Sequence, residues 1–91
     1  MNDTQKPDYT QMNLDQLRLE AGWSIAEFAR EARIDYKTMQ RALAGQPIQD
    51  TNAYNIVKTL NRRFDIHLDS KKVPGLAIFR KEQKKREVAA A

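Results

Sequence analysis

The chain contains no cysteine. Disulfides, thiolate metal sites and cysteine nucleophiles are excluded together, and the composition fits a reducing cytoplasm. There is one histidine, His67, with no second histidine or cysteine to join it, so no metal site is expected. Glycine and proline occur three times each, and aromatic residues make up 8% of the chain. No glycine-rich phosphate loop and no nucleophile–base pair stands out. No apolar run approaches the ~20 residues of a membrane span, and no apolar leader follows Met1, so neither a membrane anchor nor export is expected. With 91 residues, the chain can form one small domain with a modest core and has no room for a large catalytic cleft. Neither an enzyme nor a cofactor is expected.

Charge is what the chain has in quantity, and it is unevenly spread. Residues 1–20 carry two bases and four acids, whereas residues 21–63 carry seven bases and four acids. Residues 64–79 balance at two and two, and residues 80–91 add five bases against two acids. A basic middle and a basic tail, with an overall charge of +4, point to an anionic partner, most simply nucleic acid. Solubility alone is the competing explanation.

Start and stop signals divide the middle of the chain into short helices. Residues 1–11 are polar, contain Pro7 and read as a flexible arm. Asn13 has the character of a helix cap, with Gln16 as its capping-box partner, and Leu14, Leu17 and Ala21 recur at helical spacing up to Gly22. Ser24 and Glu27 form a second capping box, followed by Ile25, Phe28, Ala29 and Ala32 on one helical face. Arg33-Ile34-Asp35 reads as a turn into a third helix, whose apolar stripe is Met39, Ala42 and Leu43 and whose end is Gly45. Asp50 or Thr51 is expected to cap a fourth, with Ala53, Ile56, Val57, Leu60 and Phe64 at helical period. "FDIHLD" (64–69) then alternates apolar and polar, as a strand does, or is the frayed end of the fourth helix. "LAIFR" (76–80) could pair with it as a hairpin or form a further helix. The tail from Lys81 is charged, favours helix and lacks an apolar stripe.

The third helix, in "DYKTMQRALAGQ", answers to a particular chemistry. Its apolar stripe must face inward, which leaves Tyr36, Lys37, Gln40 and Arg41 on the other side. Arg and Lys donate to guanine O6 and N7, and Gln pairs with adenine N6 and N7. Tyr supplies a ring and a hydroxyl. Thr38 and Ser24 carry hydroxyls suited to phosphate oxygens, and Gln46, Gln49 and Asn52 are candidates for backbone contacts from the loop and helix that follow. The plain alternative is a solvated helix of mixed polarity. Trp23 is expected as a lid over the core between the first two helices, and Arg62-Arg63 as a solvated helix end that suits the helix dipole.

The segment "LRLEAGWSIAEFAREARIDYKTMQRALAG", followed by "IVKTLNRRF", resembles the Cro/phage-repressor (lambda-repressor-like, XRE-type) helix-turn-helix domain. Leu17-Arg18, Gly22, Ser24, Ala29, Ile34, Met39 and Gly45 occupy the positions of that pattern, over about residues 13–64. "YKTMQRALAG" is also similar to the recognition helix of the lac-repressor family. The chain departs from the lambda-repressor-like pattern at Ile25, where Gln is usual, and at Arg33, where Gly is usual. The resemblance implies base contacts by Tyr36, Lys37 and Arg41.

The expected fold is therefore all-α: a compact bundle of four to five short helices containing a helix-turn-helix, with a short C-terminal strand or hairpin and a flexible basic tail. Residues 12–69 form the domain, between the arm of residues 1–11 and a C-terminal extension of residues 70–91. The expected function is a sequence-specific transcriptional regulator in the cytoplasm, a repressor that reads double-stranded DNA as a homodimer through residues 35–44. The alternative is an antitoxin-like module in which residues 71–91 bind a protein partner while the helix-turn-helix represses its own operon. A non-specific basic nucleic-acid binder is a third reading.

Overall fold

In the computed structural model, residues 7–79 are described. They form a small all-α bundle of four helices: α1 (Leu14–Ala21), α2 (Ile25–Ala32), α3 (Tyr36–Leu43) and α4 (Asp50–Phe64). Short 3-10 turns stand at Tyr9–Gln11 and Ser70–Lys72. One side of each helix contributes to a single core. Leu14 and Leu17 come from α1, Phe28, Ala29 and Ala32 from α2, Met39 and Ala42 from α3, and Ala53, Ile56, Val57 and Leu60 from α4. Ile48 and Val73 complete it from the connecting segments. Four of these positions are alanine, which lets short helices approach closely around the fully buried Phe28, Leu14, Leu17, Met39, Ile56 and Leu60. Trp23 is half-buried and stacks on Phe28, with ring centroids 5.3 Å apart, which is the lid expected of it.

The helix starts follow local chemistry. Asn13 and Gln16 satisfy each other's backbone N–H groups at the head of α1, and Ser24 and Glu27 do the same for α2. Asp35 caps α3 through the Thr38 amide. At α4 the cap is Gln49, and its side chain makes no capping bond. The expected caps Asp50 and Thr51 lie inside the helix, where Asp50 favours the positive end of the dipole.

All four helices stop in one way. Each is followed by a left-handed residue, Gly22, Arg33, Gly45 and Asp65, with φ of 80°, 61°, 84° and 59°. The next N–H reaches back to the last turn: Trp23 to Arg18, Ile34 to Ala29, Gln46 to Arg41 and Ile66 to Asn61. This is the Schellman reversal, in which glycine is the unstrained occupant. Arg33 and Asp65 hold it with side chains, at a cost on the order of 1 kcal/mol each.

Beyond Phe64 the structure departs from the expected strand. Phe64, Ile66 and Leu68 are half-buried while Asp65, His67 and Asp69 are exposed, so the alternation is real, yet residues 66–69 pair with no strand among the described residues. Asn61 takes the partner's place. Its side-chain oxygen accepts from Leu68 N at 2.7 Å and its nitrogen donates to Leu68 O at 3.2 Å. The carboxamide thus acts as one rung of a ladder. "LAIFR" forms neither a hairpin with this segment nor a helix within residues 76–79. Ile78 instead makes a parallel bridge with Ile48, with Ile48 N donating to Ala77 O and Phe79 N to Ile48 O. Residues 70–79 are accordingly part of the domain: Val73 is buried, and Leu14 N donates to Pro74 O. The arm is also shorter than expected, since Tyr9 stacks on Phe64 with centroids 4.3 Å apart. Residues 1–6 and 80–91, which hold the rest of the arm and the basic tail, lie outside the described residues.

Replacing Asn61 with alanine removes both bonds to Leu68. Chemical denaturation should show a loss of about 1–3 kcal/mol, and the Leu68 amide should lose its protection from hydrogen exchange.

Candidate nucleic-acid interface

Helix α3 owes its orientation to two buried side chains. Met39 and Ala42 are fully enclosed in the core, and Leu43 is half-buried against it. The opposite side is left to solvent. Tyr36, Lys37, Gln40 and Arg41 are all exposed, so the four residues expected to meet base edges share one outward face. Among the described residues the single ion pair joins Arg18 to Asp15. Lys37 and Arg41 therefore have no carboxylate partner there, and their charges remain available to an external anion.

The approach to this face is shaped by the turn before α3. The Schellman reversal at Arg33 sets the direction of α3 relative to α2, and Ile34 behind it is half-buried against the core. Ile25, at the position where the lambda-repressor-like pattern has glutamine, is likewise half-buried against the core. It belongs to the packing.

Hydroxyl groups near the helix starts differ in what they can offer. Ser24 Oγ accepts from Glu27 N at 3.1 Å, which uses a lone pair. The Ser24 and Glu27 amides are both taken by the capping box, which leaves Ile25 and Ala26 at the start of α2 with N–H groups pointing outward. Thr38 was expected to donate to a phosphate. Its hydroxyl donates to Asp35 Oδ1 at 2.6 Å, so it donates to a phosphate only by giving up that bond, while the Thr38 amide keeps the cap through Oδ2. Gln46 and Gln49 are exposed on either side of Pro47-Ile48, a loop pinned by the Ile48–Ile78 bridge. Asn52 is half-buried in the first turn of α4. Arg63 donates to Ala21 O at the end of α1, and its guanidinium lies 5.5 Å from the Phe64 ring centroid. It is a structural cation joining the end of α4 to the end of α1, not the solvated helix end expected of it.

Two carboxylates stand at the same helix starts. Asp35 is held below the usual carboxylate range, first by the Thr38 hydroxyl and then by the Thr38 amide. Glu27 is lowered chiefly by the Ser24 N–H. Among the described residues no group of acidic, histidine or cysteine side chains could hold a metal ion, and no helix is long and apolar enough to cross a membrane. Comparison with known proteins found no matching family model, no matching curated protein and no matching solved structure.

The native affinities of Asp35 and Glu27 for protons are below those of the unfolded chain. Both therefore stabilise the fold above the carboxylate range, and that stability is lost as pH falls through their native values. Asparagine also caps helices. Asp35→Asn keeps one acceptor for Thr38 but loses the charge, so its neutral-pH thermal midpoint should fall below the parent's and drop less on going to about pH 3.

Proposed function

We propose that this chain is a sequence-specific DNA-binding regulator. It reads double-stranded DNA through the exposed face of α3 and represses by occupying a promoter. The observation that carries the reading is the pairing on one eight-residue helix of a buried Met39/Ala42 side with an exposed side of Tyr36, Lys37, Gln40 and Arg41, the two bases without carboxylate partners among the described residues. An α-helix fits the major groove, and first-turn residues and those one turn further reach base edges in a helix-turn-helix. The resemblance of residues 13–64 to the lambda-repressor-like pattern supports the same assignment. So does the Schellman turn at Arg33, which joins two helices in the proportions of that motif.

Arg41 and Lys37 are assigned to guanine edges and Gln40 to adenine, with Tyr36 providing apolar contact or a hydroxyl bond. Ser24, the N–H groups of Ile25 and Ala26, Gln46 and Gln49 are assigned to phosphates, and Asn52 to the same strand. One helix reads only a few base pairs. A homodimer reads a palindrome with half-sites ~34 Å apart, and that multiplies specificity.

Selection of bound fragments from random duplex DNA should enrich such a palindrome at near-physiological salt. On the enriched site, Arg41→Ala should cost ~1–3 kcal/mol and relax the preference at one base position. No enrichment, with binding that vanishes as salt rises, would leave charge attraction alone.

A further inference from the structure

The bases of the middle segment do not all lie on α3. Arg33, Lys58 and Arg62 come together elsewhere, lining a concave cleft of about 320 Å³ between the end of α2 and the side of α4. Glu31, Asn55 and Thr59 share the lining, and no residue of α3 does. Lys58 and Arg62 are one helical turn apart, so both side chains rise from the same stripe of α4. Tyr54, a turn earlier, is exposed, and Lys58 Nζ lies 5.6 Å from its ring centroid.

The charges in this cleft do not cancel. Three cations face one carboxylate, Glu31, and the carbonyl end of α2, which is worth about half a negative charge. Arg33 N and Ile34 N already take the Arg30 and Ala29 carbonyls, while Thr59 Oγ1 gives its proton to Asn55 O at 2.8 Å and stands 3.4 Å from Glu31 O. None of the three bases forms an ion pair among the described residues. Arg33, moreover, sits in a left-handed conformation that glycine would adopt without strain. Glycine there would keep the turn and remove the cation.

We propose that this cleft binds a small polyanion of the pyrophosphate type, whether free or as the phosphate end of a nucleotide. The guanidinium groups of Arg33 and Arg62 suit paired phosphate oxygens, and Lys58 adds a point charge. Asn55, also in the lining, carries an amide able to donate. The volume is that of a small-ligand site, whereas a duplex strand runs along a surface. The assignment holds whatever α3 binds.

The test is titration of the full-length chain with inorganic pyrophosphate, and in parallel with a nucleoside triphosphate, at constant ionic strength, followed by amide chemical shifts. Saturable shifts are expected at residues 31–33, 55, 58, 59 and 62. Tighter binding of the triphosphate would assign the natural ligand to nucleotides, and equal binding to the phosphate group alone. The Lys58→Gln/Arg62→Gln variant changes only exposed polar side chains and should bind pyrophosphate at least about tenfold more weakly. Arg33→Gly should raise the thermal midpoint and weaken pyrophosphate binding together, a combination that a purely structural role would not give. Linear shifts spread over Lys37 and Arg41 as well would overturn the proposal, as would undiminished binding by either variant.

Discussion

Helices of eight residues are too short to persist alone in water, and three of the four helices here have that length. Everything else in the structure answers to that constraint. Each short helix needs its first amides satisfied, its last carbonyls closed off and one side buried. Asn13, Ser24 and Asp35 do the first, four left-handed reversals do the second, and the shared core does the third. A helix held on one side has the other to spare. In α3 the spare side carries two bases, an amide and a phenol, all exposed.

The same economy governs the charges. Acidic groups are drawn to helix starts, where Asp35 and Glu27 accept backbone N–H groups, and Arg63 is drawn to the carbonyl end of α1. Lys37 and Arg41 on α3, and Arg33, Lys58 and Arg62 beside α4, have no such duty among the described residues. All five are exposed, and none forms an ion pair among the described residues. Like charges held in this way disfavour the folded state, and an anion relieves that cost. The two groups are separate, since no residue of α3 lines the cleft of Arg33, Lys58 and Arg62.

What could be read from the sequence was what is local. Capping boxes span three residues and apolar stripes span seven, so the first three helices and their buried faces were legible, as were the stops at Gly22 and Gly45. The exposed quartet on α3 followed from the stripe of Met39 and Ala42. Other features rest on partners distant in the chain or on backbone states without a marker residue. The alternation in 64–69 is that of a strand, but Asn61 supplies the pairing from the preceding helix. Ile78 pairs with Ile48, and Tyr9 with Phe64, across gaps that no periodicity reports. The left-handed turn at Asp65 carries no glycine to announce it. Thr38 looked free for a phosphate because its bond to Asp35 is a matter of rotamer. The convergence of Arg33 with Lys58 and Arg62 depends on how α2 packs on α4.

The most direct test of the central claim is amide hydrogen exchange of the full-length chain, with and without mixed-sequence duplex DNA, at near-physiological salt. Binding through α3 predicts added protection at residues 24–27 and 35–41. Protection confined to residues 54–62, or to the basic residues after Phe79, with none on α3, would contradict it.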